Sequence, residues 1–374
     1  ACLGCHRPGE AGPFSLVGYA NAKKRAPMIA KVATDGVMPP FLARHGYGEF
    51  ADDPRLSPDE KAVLSRWAEN GAPRGKGAEP KGRTFPPAGA WALGKPDLEL
   101  VAPEYALAPE GDDVYRNFVF RNDSAETRWV TGVDVRPGNR AIVHHVIAFL
   151  DKGRNGRKLE AKAADGQPGY PSEGGGVGFM PSGSLGGWAP GTAPQRTAPG
   201  TGFRLRPGED IVLQVHYSSS GKPERDRTRL ALYFAPAPPE KTLDLLWQMD
   251  WVDIPAGEKN YRRRSEYRVP VDATIYATLP HMHLLGREMK AWILTPEKTE
   301  IPLIAVDDWD FGWQLNYRLA KPLRVKAGSK LVVEARYDNS ADNPRNPNSP
   351  PQRVTLGERT KDEMFLLVTT YTRD

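Results

Sequence analysis

The sequence predicts a mainly β protein of sandwich or jelly-roll type behind a small helical segment. Three observations predict it. Gly (37) and Pro (36) each make up about a tenth of the chain, above their usual shares of roughly 7 and 5 per cent, which favours turn-rich β architecture over helical bundles. From Leu98 onward, short period-two stretches such as "DVYRNFVFRN", "AIVHHVIAFL", "EDIVLQVHYSS" and "KLVVEARYDNS" alternate with the turn signals "RPGN", "RPGED" and "KAGS". No strand–helix alternation and no Gly-rich phosphate loop interrupts them, so neither a parallel sheet nor a nucleotide cofactor is expected.

At 374 residues the chain has room for two or three domains with cores of their own. Its net charge of +5 comes from 51 basic and 46 acidic residues that are interspersed, which argues against a nucleic-acid partner. No apolar run approaches the ~20 residues of a membrane span. With Cys2 almost at the first residue, an export segment upstream is expected. Cys2 and Cys5 are the only cysteines, so no disulfide framework holds the β region together.

The first element is "CLGCHRPG", the C-x-x-C-H pattern of covalent c-type haem attachment. Cys2 and Cys5 would form the thioethers and His6 an axial bond to iron. A redox disulfide or half a zinc site competes, but there is no second Cys pair and no βαβ pattern around the motif. The second axial ligand is expected from Met38 in "GVMPPF", where Pro39 and Pro40 would hold the loop extended. His45 is the runner-up, and Met28 is set aside because it falls in a helical pattern with Ile29 and Val32.

"SPDEKAVLSRWAENGAP" then reads as a capped helix. Ser57 is the N-cap, Pro58 sits at N1, Glu60 completes a capping box and Gly71 is the stop. This segment, residues 1–76, resembles the small cytochrome c domains fused to secreted bacterial enzymes. A haem attached in this way implies a periplasmic or secreted protein. Residues 77–96, rich in Gly, Pro and charge, read as a linker.

The β region divides into 97–240 and 241–374. Within it, Asp165 to Gly202 reads as a long Gly, Pro and Ser-rich loop, with Phe179 and Trp188 anchoring it to the sandwich.

Five of the seven histidines fall in apolar strands of this region, a placement with little surface use. His144 and His145 are adjacent, so in a regular strand they face opposite sides, and both reach one metal only if a bulge or strand end turns one of them. His216 would be a third nitrogen. His281 and His283, two apart in "LPHMHLLG", share a strand face and offer two nitrogens to a second site. Met364, in "KDEMFLLVTTY", would add a thioether, a soft ligand that with imidazole suits a redox copper better than zinc.

The order "HH", "Q-x-H", "H-x-H" and "DEM" resembles the copper type II, ascorbate-dependent monooxygenases, a family that includes the peptidylglycine α-hydroxylating and dopamine β-monooxygenases. The resemblance spans about residues 97 to 374. It implies two tandem jelly rolls with one copper each: His144, His145 and His216 at an electron-transfer copper with Gln214 beside it, and His281, His283 and Met364 at the copper that meets O2 and substrate. It implies O2, a small-molecule substrate and an electron donor, ascorbate or a redox protein, as partners. The peptide-amidating members grip a carboxylate with an Arg, an Asn and a Tyr at positions that here are Leu279, Leu366 and Val368, so a neutral or apolar substrate is expected. The alternative on the same scaffold is a haem–copper electron carrier or copper-binding protein that activates no oxygen.

Overall fold

The computed structural model describes residues 2–10, 12–77, 90–172, 176–190 and 192–374. By internal contacts it forms two compact units, residues 1–41 with 52–94 and residues 42–51 with 95–374. Of the expected linker, 78–89 lie outside the described residues.

The smaller unit holds helices α1 (Tyr19–Lys23), α2 (Ala26–Thr34) and α3 (Pro58–Glu69). α3 starts as its sequence dictates. The Ser57 side chain accepts the Glu60 N–H at 3.2 Å, and the Glu60 carboxylate accepts the Ser57 N–H at 2.8 Å, a reciprocal cap worth about 1 kcal/mol. Past its end Gly71 adopts φ 75°, where a side chain would be strained.

Among its described residues, the larger unit is built of strands and loops apart from α4 (Asn155–Lys162). Its first half contains β1 (Leu98–Val101), β2 (Tyr105–Leu107), β3 (Val114–Phe120), β4 (Arg128–Arg136), β5 (Val143–Asp151) and β6 (Tyr170–Ser172). β7 (Gly183–Trp188), β8 (Thr201–Leu205), β9 (Asp210–Tyr217), β10 (Glu224–Asp226) and β11 (Arg229–Phe234) complete it. The second half contains β12 (Lys241–Asp250), β13 (Asp253–Ile254), β14 (Tyr261–Arg268), β15 (Ala273–His281) and β16 (Gly286–Leu294). It ends with β17 (Glu300–Val306), β18 (Tyr317–Val325), β19 (Lys330–Tyr337), β20 (Val354–Thr355) and β21 (Phe365–Arg373).

One eight-stranded sheet, in the order β1-β11-β4-β8-β12-β21-β15-β18, runs through both halves. They join where β12 pairs in parallel with β8, Lys241 to Leu243 against Thr201 to Phe203. A five-stranded sheet, β6-β3-β9-β5-β7, covers the first part of it, and a four-stranded sheet, β14-β19-β16-β17, belongs to the second. The first core shows how the alternation is used. Val146, Ala148, Leu150, Leu213, Val215 and Tyr217 point inward with Val130, Leu230 and Leu232 of the large sheet. Their neighbours Ile147, Phe149 and Val212 pack on the opposite face with Tyr170, Val177, Leu159 and Phe179.

Two features depart from the sequence reading. Residues 165–202 are not a loop alone but contribute β6, β7 and the start of β8. β7 escaped detection because "GSLGGW" lacks β-branched residues, and Gly187 answers to crowding: a Cβ there would lie 2.0 Å from the Val146 carbonyl oxygen. Trp188 is in the core and Phe179 packs under the segment, as anchors do. Residues 42–51, read as part of the haem segment, belong to the larger unit. The Arg44 N–H donates to Ala305, the Ala51 N–H to Arg318, and Glu49 accepts from Ala320. His45 lies exposed in this strip.

Candidate metal centres

His144, His145 and His216 converge. The pairing of β5 with β9 slips between Val143 and His145, so that Val143 faces Tyr217 and His145 faces His216. His144 is thus the extra residue of a bulge, and the bulge turns its ring to the side His145 occupies. The Nδ1 of His145 lies 3.2 Å from that of His144 and 3.4 Å from that of His216, and the three rings offer ligand atoms all within 4.8 Å of one another. Three imidazole nitrogens facing one point are a donor set for copper or zinc.

The residues behind the triad come from β3 and from loops. Tyr115 stacks on His216 with ring centroids 4.2 Å apart. The Asp113 carboxylate lies 3.4 Å from His216 Nε2 and accepts from Thr360 N–H at 3.2 Å and from Ser218 Oγ at 3.0 Å. Burial works to raise the Asp113 carboxyl, but His216 and Thr360 outweigh it and hold the group below the ordinary carboxylate range. Gln214 sits two residues before His216 on the same face, with its amide donating to the Gly176 carbonyl at 3.1 Å and facing Asn117 Oδ1.

His281 and His283 stand with ring centroids 5.1 Å apart and planes at 88°. His281 Nδ1 meets Gln314 Oε1 at 2.8 Å, and His283 Nδ1 meets the Asp362 carbonyl at 3.1 Å. With an acceptor on each Nδ1, the proton belongs there and Nε2 keeps its lone pair for a metal. β15 pairs with β21 up to His281 opposite Leu366. Carried two residues further, that register sets His283 across from Met364, whose side chain is buried.

The fully buried Glu363 pins this corner: its carboxylate accepts the N–H groups of His283, Leu285 at 2.9 Å and Met364 at 2.8 Å. Burial pushes its carboxyl up to about 8, against the pull of those N–H donors. Burial also pushes His144 and His281 down to about 4, and His145 and His283 well below the usual histidine value. All four rings are therefore neutral, the form that ligates, at ordinary pH.

Both sets lie on outer sheet faces rather than in sandwich cores, and those faces look toward each other. Phe149 stacks on Trp247 at 6.2 Å. Phe311 stacks on His144 at 4.8 Å and meets His283 edge-on at 5.5 Å. Beside His281 the register aligns Leu279 with Val368, and Leu366 and Val368 with Met249 and Trp247. The result is one apolar strip reaching exposed Met249 and Trp247. Asp113, Phe311, Gln314 and Glu363 were missed in the sequence. None of them carries a local signal: Glu363, for one, merely closes the polar stretch Thr360, Lys361, Asp362 ahead of β21.

In the smaller unit, Cys2, Cys5 and His6 share one turn, with the His6 N–H donating to the Cys2 carbonyl at 2.9 Å and both cysteines exposed. The Phe14 carbonyl lies 3.2 Å from His6 Nδ1, leaving Nε2 for an axial bond. A Cβ on Gly12 would fall 2.7 Å from that Nδ1, so a larger residue there would displace the ring. Met38 follows α2, its N–H on the Val32 carbonyl at 3.0 Å.

Residues 262–372 match the family model of the copper type II ascorbate-dependent monooxygenase C-terminal domain. That stretch includes His281, His283 and Met364 and ends before the last two residues. Among solved structures, the chain is similar to the infectious bursal disease virus VP2 subviral particle, with 6% identity over 75% of this chain and 81% of that one and a TM-score of 0.20. It is also similar to the PBSX exported protein XepA, with 9% identity over 74% and 87% and a TM-score of 0.20. Scores this low carry no argument. No described helix is long and apolar enough to cross a membrane.

Proposed function

We propose that this chain is a haem–copper monooxygenase that hydroxylates a C–H bond of a small apolar substrate with O2. The observation that carries it is the pairing of two imidazole sets on facing sheet surfaces, one of them inside the stretch that matches a copper monooxygenase domain. The donor chemistry fits copper. The triad turns three Nδ1 atoms inward, and the second set offers two Nε2 atoms beside a thioether that favours the reduced ion. Copper bound at the two sets supplies the redox chemistry, in which O2, two electrons and two protons convert R–H to R–OH and water.

The chain's own residues do the rest. Gln314, the Asp362 carbonyl and Glu363 hold the H-x-H rings and the Met364 backbone in place. Asp113 and Tyr115 hold His216. Leu279, Leu366, Val368, Met249 and Trp247 form a surface that accepts hydrocarbon and offers a carboxylate no cation, which sets the substrate class. Cys2, Cys5 and His6 would attach a c-type haem, with Met38 as sixth ligand, and a one-electron carrier held on the same chain would supply electrons at high effective concentration. Attachment chemistry of that kind belongs to a periplasmic or secreted protein.

The test is isotopic. Copper-loaded protein, reduced by ascorbate, is exposed to 18O2 with a panel of neutral alkyl- and arylalkanes. One labelled oxygen per hydroxylated product, lost in a His283→Ala variant, is expected. Copper that cycles with the haem while no substrate gains label or raises O2 uptake would establish the electron-carrier reading instead.

A further inference from the structure

Phe311 sits in a turn between β17 and β18. The Gly312 N–H donates to the Asp310 carboxylate at 2.9 Å and the Trp313 N–H to the Asp310 carbonyl at 3.0 Å. Gln314 closes the turn, its Nε2 donating to the Phe311 carbonyl at 3.2 Å while its Oε1 holds His281. The first half contributes Thr192, whose hydroxyl lies 3.4 Å from the Gln314 carbonyl. The backbone carrying the ring is therefore tied to both halves of the β unit.

The ring lies nearly parallel to His144, with planes at 22° and centroids 4.8 Å apart, and nearly perpendicular to His283, at 74° and 5.5 Å. Both are preferred geometries for aromatic pairs. His144 is the bulged residue of its strand, so of the three triad rings it is the one whose orientation regular pairing leaves undetermined. One side chain thus touches a ring of each histidine set, and on the triad side it touches the ring most in need of support.

We propose that Phe311 is a positioning residue shared by the two centres: wedged between the His144 and His283 imidazoles, it sets both ring planes, so that metal bound at one centre is felt at the other. This rests on the copper reading above. An aromatic contact of this kind corresponds to about two- to tenfold in an equilibrium constant, and filling either centre fixes a ring that the other then finds already oriented.

A second tie keeps the test clean. The Tyr115 hydroxyl donates to the Glu358 carbonyl, Thr360 donates to Asp113, and the Asp362 carbonyl faces His283. The halves therefore remain pinned when the Phe311 ring is removed.

The experiment is an anaerobic Cu(I) titration of the full chain, with His283→Ala and His144→Ala variants supplying the affinity of each centre alone. In the unaltered chain the second copper binds about two- to tenfold more tightly than its isolated centre. In Phe311→Leu that enhancement vanishes with both centres still filling, and in Phe311→Tyr it is retained. The Cu(II) hyperfine splitting of the triad shifts when Ag(I), a redox-silent soft ion, fills the other centre, and Phe311→Leu abolishes the shift. Independent binding in the unaltered chain, or an enhancement unchanged in Phe311→Leu, would overturn the proposal while leaving the copper reading standing. Failure of copper to bind either histidine set would overturn both.

Discussion

Replacing Met364 by Leu separates a thioether ligand from a packing residue. The side chain is 8% exposed, so Met364→Ala would delete buried atoms at a cost of about 2–5 kcal/mol and confuse unfolding with loss of a ligand. Leu nearly conserves volume and costs less than about 1.5 kcal/mol, which in a unit this large lowers Tm by no more than ~5 °C. Directly opposed residues of an antiparallel pair hold their Cβ atoms about 4.5–5.5 Å apart. The pairing of β15 with β21 ends at His281 opposite Leu366; continued by two residues it would face His283 with Met364 and put sulfur within reach of an ion on the H-x-H nitrogens. Substitution of groups behind a metal ligand costs about 10–100-fold in affinity, and loss of the ligand itself costs at least the lower figure. The assay is competition for Cu(I) against a chromophoric chelator, with metal counted after dialysis and Tm measured in parallel. Met364→Leu is expected to retain one copper in the triad and to weaken the second at least about tenfold. Two coppers held within about twofold of the unaltered affinity would refute the ligand assignment and leave Met364 as core.

Three further outcomes follow from the same geometry. His144 and His281 are pushed down to about 4 by burial, so between there and ~6.5 the unfolded chain binds protons that the folded chain does not. Each of these rings therefore costs the metal-free protein about 2 kcal/mol of stability as pH drops from 7 to 5, while Glu363 and Glu358, held up to about 8 and about 7 by burial, shift it the other way. The rings' share is read as the difference in the pH dependence of Tm between the unaltered chain and a His144→Asn/His281→Asn variant, and no difference would contradict the burial. Met38→Ala is expected to convert the visible spectrum of the haem-loaded chain from six- to five-coordinate while His45→Ala leaves it unchanged; the opposite pattern would assign the ligand to His45. Leu279→Arg puts a cation on the apolar strip beside His281 and is expected to shift relative kcat/KM at least about tenfold toward carboxylate-bearing substrates. No shift would mean that substrate does not lie along that strip.

What was legible in the sequence was local. The α3 cap, the C-x-x-C-H turn and the shared face of His281 and His283 are short-range consequences of residue spacing, and the need for a bulge at His144 follows from strand period alone. Which face the histidines occupy depends on how the halves join, through a parallel β8–β12 pairing with no sequence signature. The groups behind the rings, Asp113, Gln314 and the Asp362 carbonyl, lie on loops whose partners are distant in sequence. Strand β7 was hidden because it carries no β-branched residue and because close approach to β5 demands glycine at 187, and the strip 42–51 because its edge pairing with β17 and β18 is non-local.

The central claim is that two separate histidine sets each hold copper. Its most direct test counts metals per chain, after dialysis of haem- and copper-matured protein, in the unaltered chain and in the His144→Ala and His283→Ala variants. The account predicts one iron with two coppers in the first and one iron with one copper in each variant, every copper giving a type 2 EPR signal when oxidised. Zinc in their place, a single copper unaffected by one of the substitutions, or no retained copper would contradict it.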